Sequence, residues 1–350
     1  MKDVAVVGFA QAPNVRRTHG TTNGVEMLVP VFREVFDRTG LSKQDIGFWC
    51  SGSSDYLAGR AFSFVAAVDA IGAFPPIHES HVEMDAAWAL YEAWLKIRTG
   101  EVDTALVYGF GKSSAGTLRR VLALQLDPYV TAPLWPDSIG IAGLQARLGL
   151  EAGLWSEKDM AEVAARSRAD AAGNPYAQVR EPVEVAELLD APVVADPLRA
   201  HDIAPVTDGA AVVVLASAER ARDLVERPAV ITGIEHRVDS PALGSRDLTR
   251  SPSTEAAARA AGAGEVTVAE LHAPFTHQEL ILREALGLGA GVRINPSGGP
   301  LTGNPMFSAG LARIGEAATR ILDGTAERVL AHATSGPALQ QNLVAVLERD

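Results

Sequence analysis

Two hydrophobic rhythms alternate along the chain. Short apolar runs rich in β-branched residues have the pattern of buried strands, and longer stretches place apolar residues at helical spacing. "DVAVVGFA" (3–10) is the first strand-like run. "TNGVEMLVPVFREVFDRTG" (22–40) follows, with Val25, Leu28, Val29, Phe32 and Phe36 on one face and Gly40 as a stop. "IGFWCSGSS" (46–54) predicts a strand running into a turn, "DAAWALYEAWLKIRTG" (85–100) a helix ended by Gly100, and "DTALVYGFG" (103–111) another strand. This alternation predicts α/β layers.

Between 113 and about 200 the rhythm is lost. "LDPYVTAPLWPDS", "AEVAARSRADAAGNPYAQV" and "ADPLRAHDIAPVTDG" mix prolines with helical stretches and have no regular strand pattern. This segment is expected to be a cap-like insertion over the α/β body. Order returns with "GAAVVVLASAERARDL" (209–224). The strand, helix and strand of "AVITGIEH", "SPSTEAAARAAGA" and "EVTVAELHAPF" then repeat the first half in outline. "THQELILREALGLG" and "NPMFSAGLARIGEAATRILDG" predict helices, and "AERVLAHATSG" and "NLVAVLERD" closing strands. The expected division is 1–220, carrying the insertion, and 221–350.

Composition narrows the picture. The hydrophobic fraction is 47% and the charged fraction 21%, as in a globular protein. No apolar run approaches the ~18 residues of a membrane span, and the N-terminus lacks the long apolar core of a signal peptide. A single cysteine, Cys50, excludes an internal disulfide framework and fits a reducing, cytoplasmic setting. The net charge of −12 argues against nucleic-acid binding, which needs clustered Lys and Arg.

Several familiar chemistries are excluded. "GFGKSSAG" (109–116) has the end of a phosphate loop, but Leu106 stands where its first glycine belongs. A plain glycine turn after a strand is expected there instead. Lys112, Arg119 and Arg120 nearby form a small basic group able to meet a phosphate. No G-x-S-x-G elbow occurs, and one cysteine cannot make a zinc cluster. His272 and His277 have no third metal ligand nearby in the sequence. His272 does end a predicted strand, where α/β sheets place ligands. The glycines of "INPSGGPLTGNPMFSAG" (294–310), among them Gly298, Gly299 and Gly303, would permit positive φ and close backbone approach and offer N–H groups to an oxyanion.

"PVTDGAAVVVLAS", "ELHAPFTHQELILREALGL", "INPSGGPLTGNP" and, in the first half, "GEVDTALVYGFGKSSAGTL" resemble the signatures of the thiolase superfamily, most nearly the sterol-carrier-protein-type thiolases or lipid-transfer proteins. The resemblance implies a duplicated five-layer αβαβα fold with a cap-like loop insertion, a coenzyme A thioester ligand with no separate cofactor, and a dimer. It gives His272 the place of a histidine that stabilises the thioester oxyanion. Asn304 stands where the family has a catalytic histidine; an amide can donate a hydrogen bond but is no base near neutral pH.

The nucleophilic cysteine of the family falls at Glu83 by an ungapped match, or nearer Asp85 by a match led by the motif. A second cysteine falls within "HATSGPALQQ", where Ser335 is the nearest hydroxyl. Cys50 matches neither position. Glu83 or Asp85 either caps the following helix or acts as a base or hydroxyl acceptor. Without a thiolate, thiolysis is not expected. The resemblance then implies a retro-aldolase for β-hydroxyacyl-CoA of the steroid side-chain type, working with an OB-fold (DUF35-type) partner. The alternative is a non-catalytic thiolase-like subunit paired with an active paralogue. Such aldolases use tyrosines of the C-terminal half, whereas the last tyrosine here is Tyr176.

Overall fold

A computed structural model describes residues 1–19, 24–55, 62 and 64–350. In chain order the first half holds β1 (Val4–Gln11), α1 (Gly24–Thr39), β2 (Phe48–Gly52), α2 (Phe64–Ile71), β3 (Glu79–Val82), α3 (Ala86–Arg98) and β4 (Thr104–Lys112). An excursion follows, with α4 (Leu118–Leu124), α5 (Ser138–Glu151), α6 (Glu157–Ala171), α7 (Val185–Leu189) and a small hairpin, β5 (Val193–Ala195) and β6 (Leu198–Arg199). The chain returns through β7 (Val206–Ser217) and α8 (Ala218–Leu224). The second half holds β8 (Ala229–Val238), α9 (Pro252–Ala260), β9 (Val268–Leu271), α10 (Thr276–Ala285), β10 (Arg293–Ile294), β11 (Asn304–Pro305), α11 (Ala309–Leu322), β12 (Arg328–Ser335) and β13 (Gln341–Arg349). Thr22 and Asn23, the first residues of the helix expected at 22–40, lie outside the described residues.

The strands form one large mixed sheet whose order repeats. The first half runs β3-β2-β4-β7-β1 and the second β10-β9-β12-β13-β8. The senses repeat too. β2 is parallel to β3 and β4, as β9 is to β10 and β12. β7 is antiparallel to β1 and β4, as β13 is to β8 and β12. The halves join where Ala5 and Val6 of β1 pair with Val230 and Ala229 of β8.

Helices α3 and α11 belong to the central core, and their sequences explain why. Ala86, Ala87, Ala89 and Ala93 in α3, and Ala309, Gly310, Ala312, Gly315, Ala317 and Ala318 in α11, are all buried. Small side chains on several faces let a helix be enclosed rather than half exposed. At Gly315 an added Cβ would fall 2.1 Å from the Phe9 ring. The core around these helices takes side chains from both halves of the sheet, such as Phe48, Val107 and Leu215 from one and Val329, Ala331 and Leu343 from the other. Two further cores lie under α1 and α2, and under α9 and α10.

Two local expectations are corrected. The helix expected from Asn304 begins only at Ala309, because Asn304 and Pro305 pair with β7 and residues 306–308 form a turn. The glycine turn expected within 109–116 begins only at Ser113, because 109–112 continue the strand and pair with β7 as far as Lys112. Its glycines serve close packing. A Cβ on Gly109 would lie 2.3 Å from the Phe307 carbonyl oxygen, and one on Gly111 would lie 2.2 Å from that of Met306.

Candidate active site

The starts of α3 and α11 meet at one carboxylate. Asp85 is the N-cap of α3, and its Oδ1 accepts the N–H of Ala87 at 2.9 Å. The same oxygen accepts the N–H of Leu311 at 3.0 Å, and Oδ2 that of Gly310 at 2.9 Å. One buried side chain thus satisfies orphan donors at two helix N-termini, where the dipoles of both helices favour an anion. Phe307 adds a backbone tie: its carbonyl oxygen accepts the N–H of Ala86 at 2.9 Å. Asp85 therefore has the geometry of a cap shared between the halves. Glu83, two residues earlier, is exposed, and its Oε1 accepts the N–H of Asp55 at 2.8 Å.

His272 follows β9 directly and is buried close enough to feel the charge of Asp85. Its Nδ1 accepts the N–H of Thr334 at 3.4 Å, and its Nε2 lies 2.9 Å from Oδ1 of Asn304. Proton counting fixes the roles. A backbone N–H only donates, so Nδ1 is bare and a neutral ring carries its proton on Nε2, which donates to Asn304. Burial lowers the His272 pKa, against the opposing pull of Asp85 and of the bond to Asn304. The Asn304 N–H is held by Thr207 Oγ1 at 2.9 Å. Its side-chain Nδ2 has no acceptor among the described residues. The pair is thus a neutral donor system whose outermost N–H groups belong to the amide.

The loop before Asn304 is locked by buried charge. Glu270 accepts the N–H of Ser297 at 3.1 Å and its hydroxyl at 2.7 Å, and pairs with Arg313 of α11 at 2.7 Å. Asn295 accepts the Leu271 N–H at 2.6 Å and donates to Glu279 at 3.3 Å, and Glu279 pairs with Arg166 of α6 at 2.6 Å. The expectation that Gly298, Gly299 and Gly303 offer N–H groups to an oxyanion is corrected. Their N–H groups already donate to the Asn295 carbonyl, Ser297 Oγ and the Pro300 carbonyl. The positive φ expected of this loop is present at Gly298 and Gly299, at +94° and +62°. A Cβ on Gly303 would fall 2.4 Å from the Asn14 amide nitrogen.

The other candidates are dispersed. Arg119 pairs with Asp137, Arg120 is exposed at the start of α4, and Lys112 is half-buried at the end of β4. His277 is buried, 3.1 Å from Gln145 Oε1, and burial lowers its pKa to about 3. The Tyr176 hydroxyl donates to Glu34 at 3.2 Å. Cys50 is buried in β2, and desolvation, reinforced by Glu92 and Glu79, pushes its thiol well above the usual range. Among the described residues no cluster of His, Cys, Asp and Glu could hold a metal ion, and no helix is long and apolar enough to cross a membrane.

Sequence reasoning missed Asp208, inside "PVTDG". This buried carboxylate accepts the N–H and hydroxyl of Thr18, both at 2.9 Å, and those of Ser114 at 3.0 and 2.7 Å, tying the segment after β1 to the end of β4. A lone Asp in an otherwise apolar strand run was its one sequence signal.

The fold is thiolase-like. The structure matches the "Ltp2-ChsH2(DUF35) aldolase" with a TM-score of 0.83 over 99% of this chain and 98% of that one, at 19% identity. Acetyl-CoA acetyltransferase of Methanothermobacter thermautotrophicus is 26% identical over 358 residues, 90% of each chain. Sterol carrier protein 2 of Rattus norvegicus is 25% identical over 298 residues; the match covers 73% of this chain but 54% of that longer protein. No family model matches the chain. The chain is thus similar to members of the thiolase superfamily, sterol-carrier-protein-type thiolases among them.

Proposed function

We propose that the chain is the thiolase-like subunit of an acyl-CoA aldolase, which cleaves a β-hydroxyacyl-CoA of the steroid side-chain type by retro-aldol chemistry. It would work as a dimer, with itself or a paralogue, in a five-layer arrangement and with an OB-fold (DUF35-type) partner. The observation that carries the reading is a hydrogen-bonded donor pair, His272 and Asn304, beside a helix start that bears carboxylates and no thiol. A base takes the β-hydroxyl proton and the new carbonyl forms as the Cα–Cβ bond breaks. The electron pair moves through Cα to the thioester oxygen, and the enolate is then protonated at Cα. Asn304 Nδ2 meets the developing oxyanion, and His272 holds the amide in that orientation. With the Asp85 oxygens engaged by three N–H groups, Glu83 is the carboxylate exposed to receive a proton. Arg120, exposed beside the ion-paired Arg119, is the basic group that meets a CoA phosphate in this reading.

The engagement of Asp85 also favours a second reading: a non-catalytic subunit that binds acyl-CoA and pairs with an active paralogue. One experiment separates the two. The purified chain, alone and with an OB-fold partner, is given a β-hydroxyacyl-CoA, and release of a ketone or aldehyde with the shortened acyl-CoA is followed. The aldolase reading expects turnover that iodoacetamide leaves intact, that falls about 10²–10³-fold in Asn304→Ala, and that falls strongly in Glu83→Gln. Acyl-CoA binding with turnover only when a paralogue is added supports the second reading. Thiolysis of a 3-ketoacyl-CoA that is lost in Cys50→Ser overturns both.

A further inference from the structure

From Ser297 to Gly315 the chain is buried except at Asn304, Met306 and Phe307. The last of these is conformationally unusual. Residues Pro305–Ser308 form a turn closed by the Ser308 N–H on the Pro305 carbonyl at 3.3 Å, and Phe307, its third residue, has φ of +66°. Turns that need positive φ at this position normally take glycine there, and a bulky residue in the left-handed region is an outlier. Such strain persists only where the surroundings over-determine it, and it gathers at functional sites. Here both requirements are visible. The Phe307 carbonyl is fixed by the Ala86 N–H and pressed against Gly109, and the next residues of the chain carry the two N–H groups held by Asp85. The side chain that the strain positions is no core packer. Among the described residues Phe307 belongs to none of the main apolar cores and pairs with no other ring. It is a half-buried aromatic surface three residues beyond Asn304, at the junction of the two helix starts.

We propose that Phe307 is a specificity-determining residue, a fixed apolar wall against which a bulky, ring-bearing acyl group of the thioester packs. The proposal rests on the acyl-CoA reading above. A rigid aromatic surface beside a few placed polar donors is the usual composition of a ligand site. The turn holds the ring in place before the ligand arrives, so little ordering cost falls on binding.

The test uses the full-length chain, Phe307→Ala and Phe307→Gly, with two probes: butyryl-CoA and an acyl-CoA carrying a fused-ring hydrocarbon group. Both variants should keep butyryl-CoA affinity within about twofold and lose about tenfold for the ring-bearing probe, as expected for removing one packed aromatic face. Phe307→Gly should also melt above Phe307→Ala by roughly 1–3 °C, since only alanine keeps a Cβ in the left-handed region. Equal losses on both probes, no loss on either, or an alanine variant that melts above the glycine variant overturns the proposal while leaving acyl-CoA binding intact. A wild-type chain that binds neither probe overturns the acyl-CoA reading itself, and this proposal with it.

Discussion

The two halves share a strand order and differ in what they do with it. In the first, the connection from β4 to β7 is the whole excursion 113–205; in the second, β12 and β13 are joined by a turn at 336–340. The first half contributes the capping carboxylate and the glycines that admit its neighbour. The second contributes His272, Asn304 and Phe307, together with the buried Glu270–Arg313 pair that holds their loop. The α3 start is capped by an acid that also reaches across to α11, whereas Ser308, the N-cap of α11, makes no side-chain capping bond. Two halves of like strand order thus contribute different parts to one candidate site at their junction.

The asymmetry of the caps is the sharpest point at which to break this picture. Asp85→Ala should cost about 3–5 kcal/mol, since it leaves three buried N–H groups without their charged acceptor. Asp85→Asn should still cost about 1–2 kcal/mol, because both carboxylate oxygens accept an N–H and an amide can match only one. A one-helix cap would tolerate that change almost silently. Ser308→Ala should cost about 1 kcal/mol or less. Urea denaturation of the three variants checks the order.

The first half's glycines come next. Gly109→Ala drives a Cβ toward the Phe307 carbonyl and the Ala86 side chain, 2.3 and 2.8 Å away. The obstacle is largely backbone, so a loss of about 1–3 kcal/mol is expected. It should appear in thermal melts together with weakened binding of the ring-bearing acyl-CoA probe, since the turn carrying Phe307 must move.

The smallest effect per step is acid. His272, His277 and His332, all in the second half, are buried with lowered pKa, the last two to about 3. The unfolded chain binds these protons near pH 6.5 and the folded chain does not. Stability is therefore full above the unfolded value and falls as pH drops toward about 3. Each ring contributes up to about 1.4 kcal/mol per pH unit. His332→Gln should flatten the slope, measured as denaturation midpoints from pH 7 to 4; an unchanged slope would mean that His332 is not buried neutral.

Much of the fold was legible because its long strands and helices are strongly patterned. The periodicity of 22–40 and the apolar runs of 103–111 and 209–217 correspond to α1, β4 and β7. Short pieces were not legible: β3 and β10 have too few residues to show a rhythm, and Pro305 hid a strand pairing under a helical pattern. At the site, His272 and Asn304 stood out by motif, and the structure brings them together. The cap at Asp85 was legible from its place before the helix, but its reach to α11, and the reason for Gly109, lay beyond local sequence. Gly109 is required by Phe307, and Asp85 is partnered by Gly310 and Leu311, contacts that no local pattern encodes.

That last contact carries a consequence for biosynthesis. Asp85 and Gly310 are separated by 225 positions. At roughly 5–20 residues per second, a ribosome that has added Asp85 works for about 10–45 s before Gly310 is added. Throughout that interval the carboxylate has only its own helix to cap, and the faces of α3 that α11 will cover are open. The nascent first half is thus an incomplete template until the segment bearing Phe307 and α11 arrives to close it.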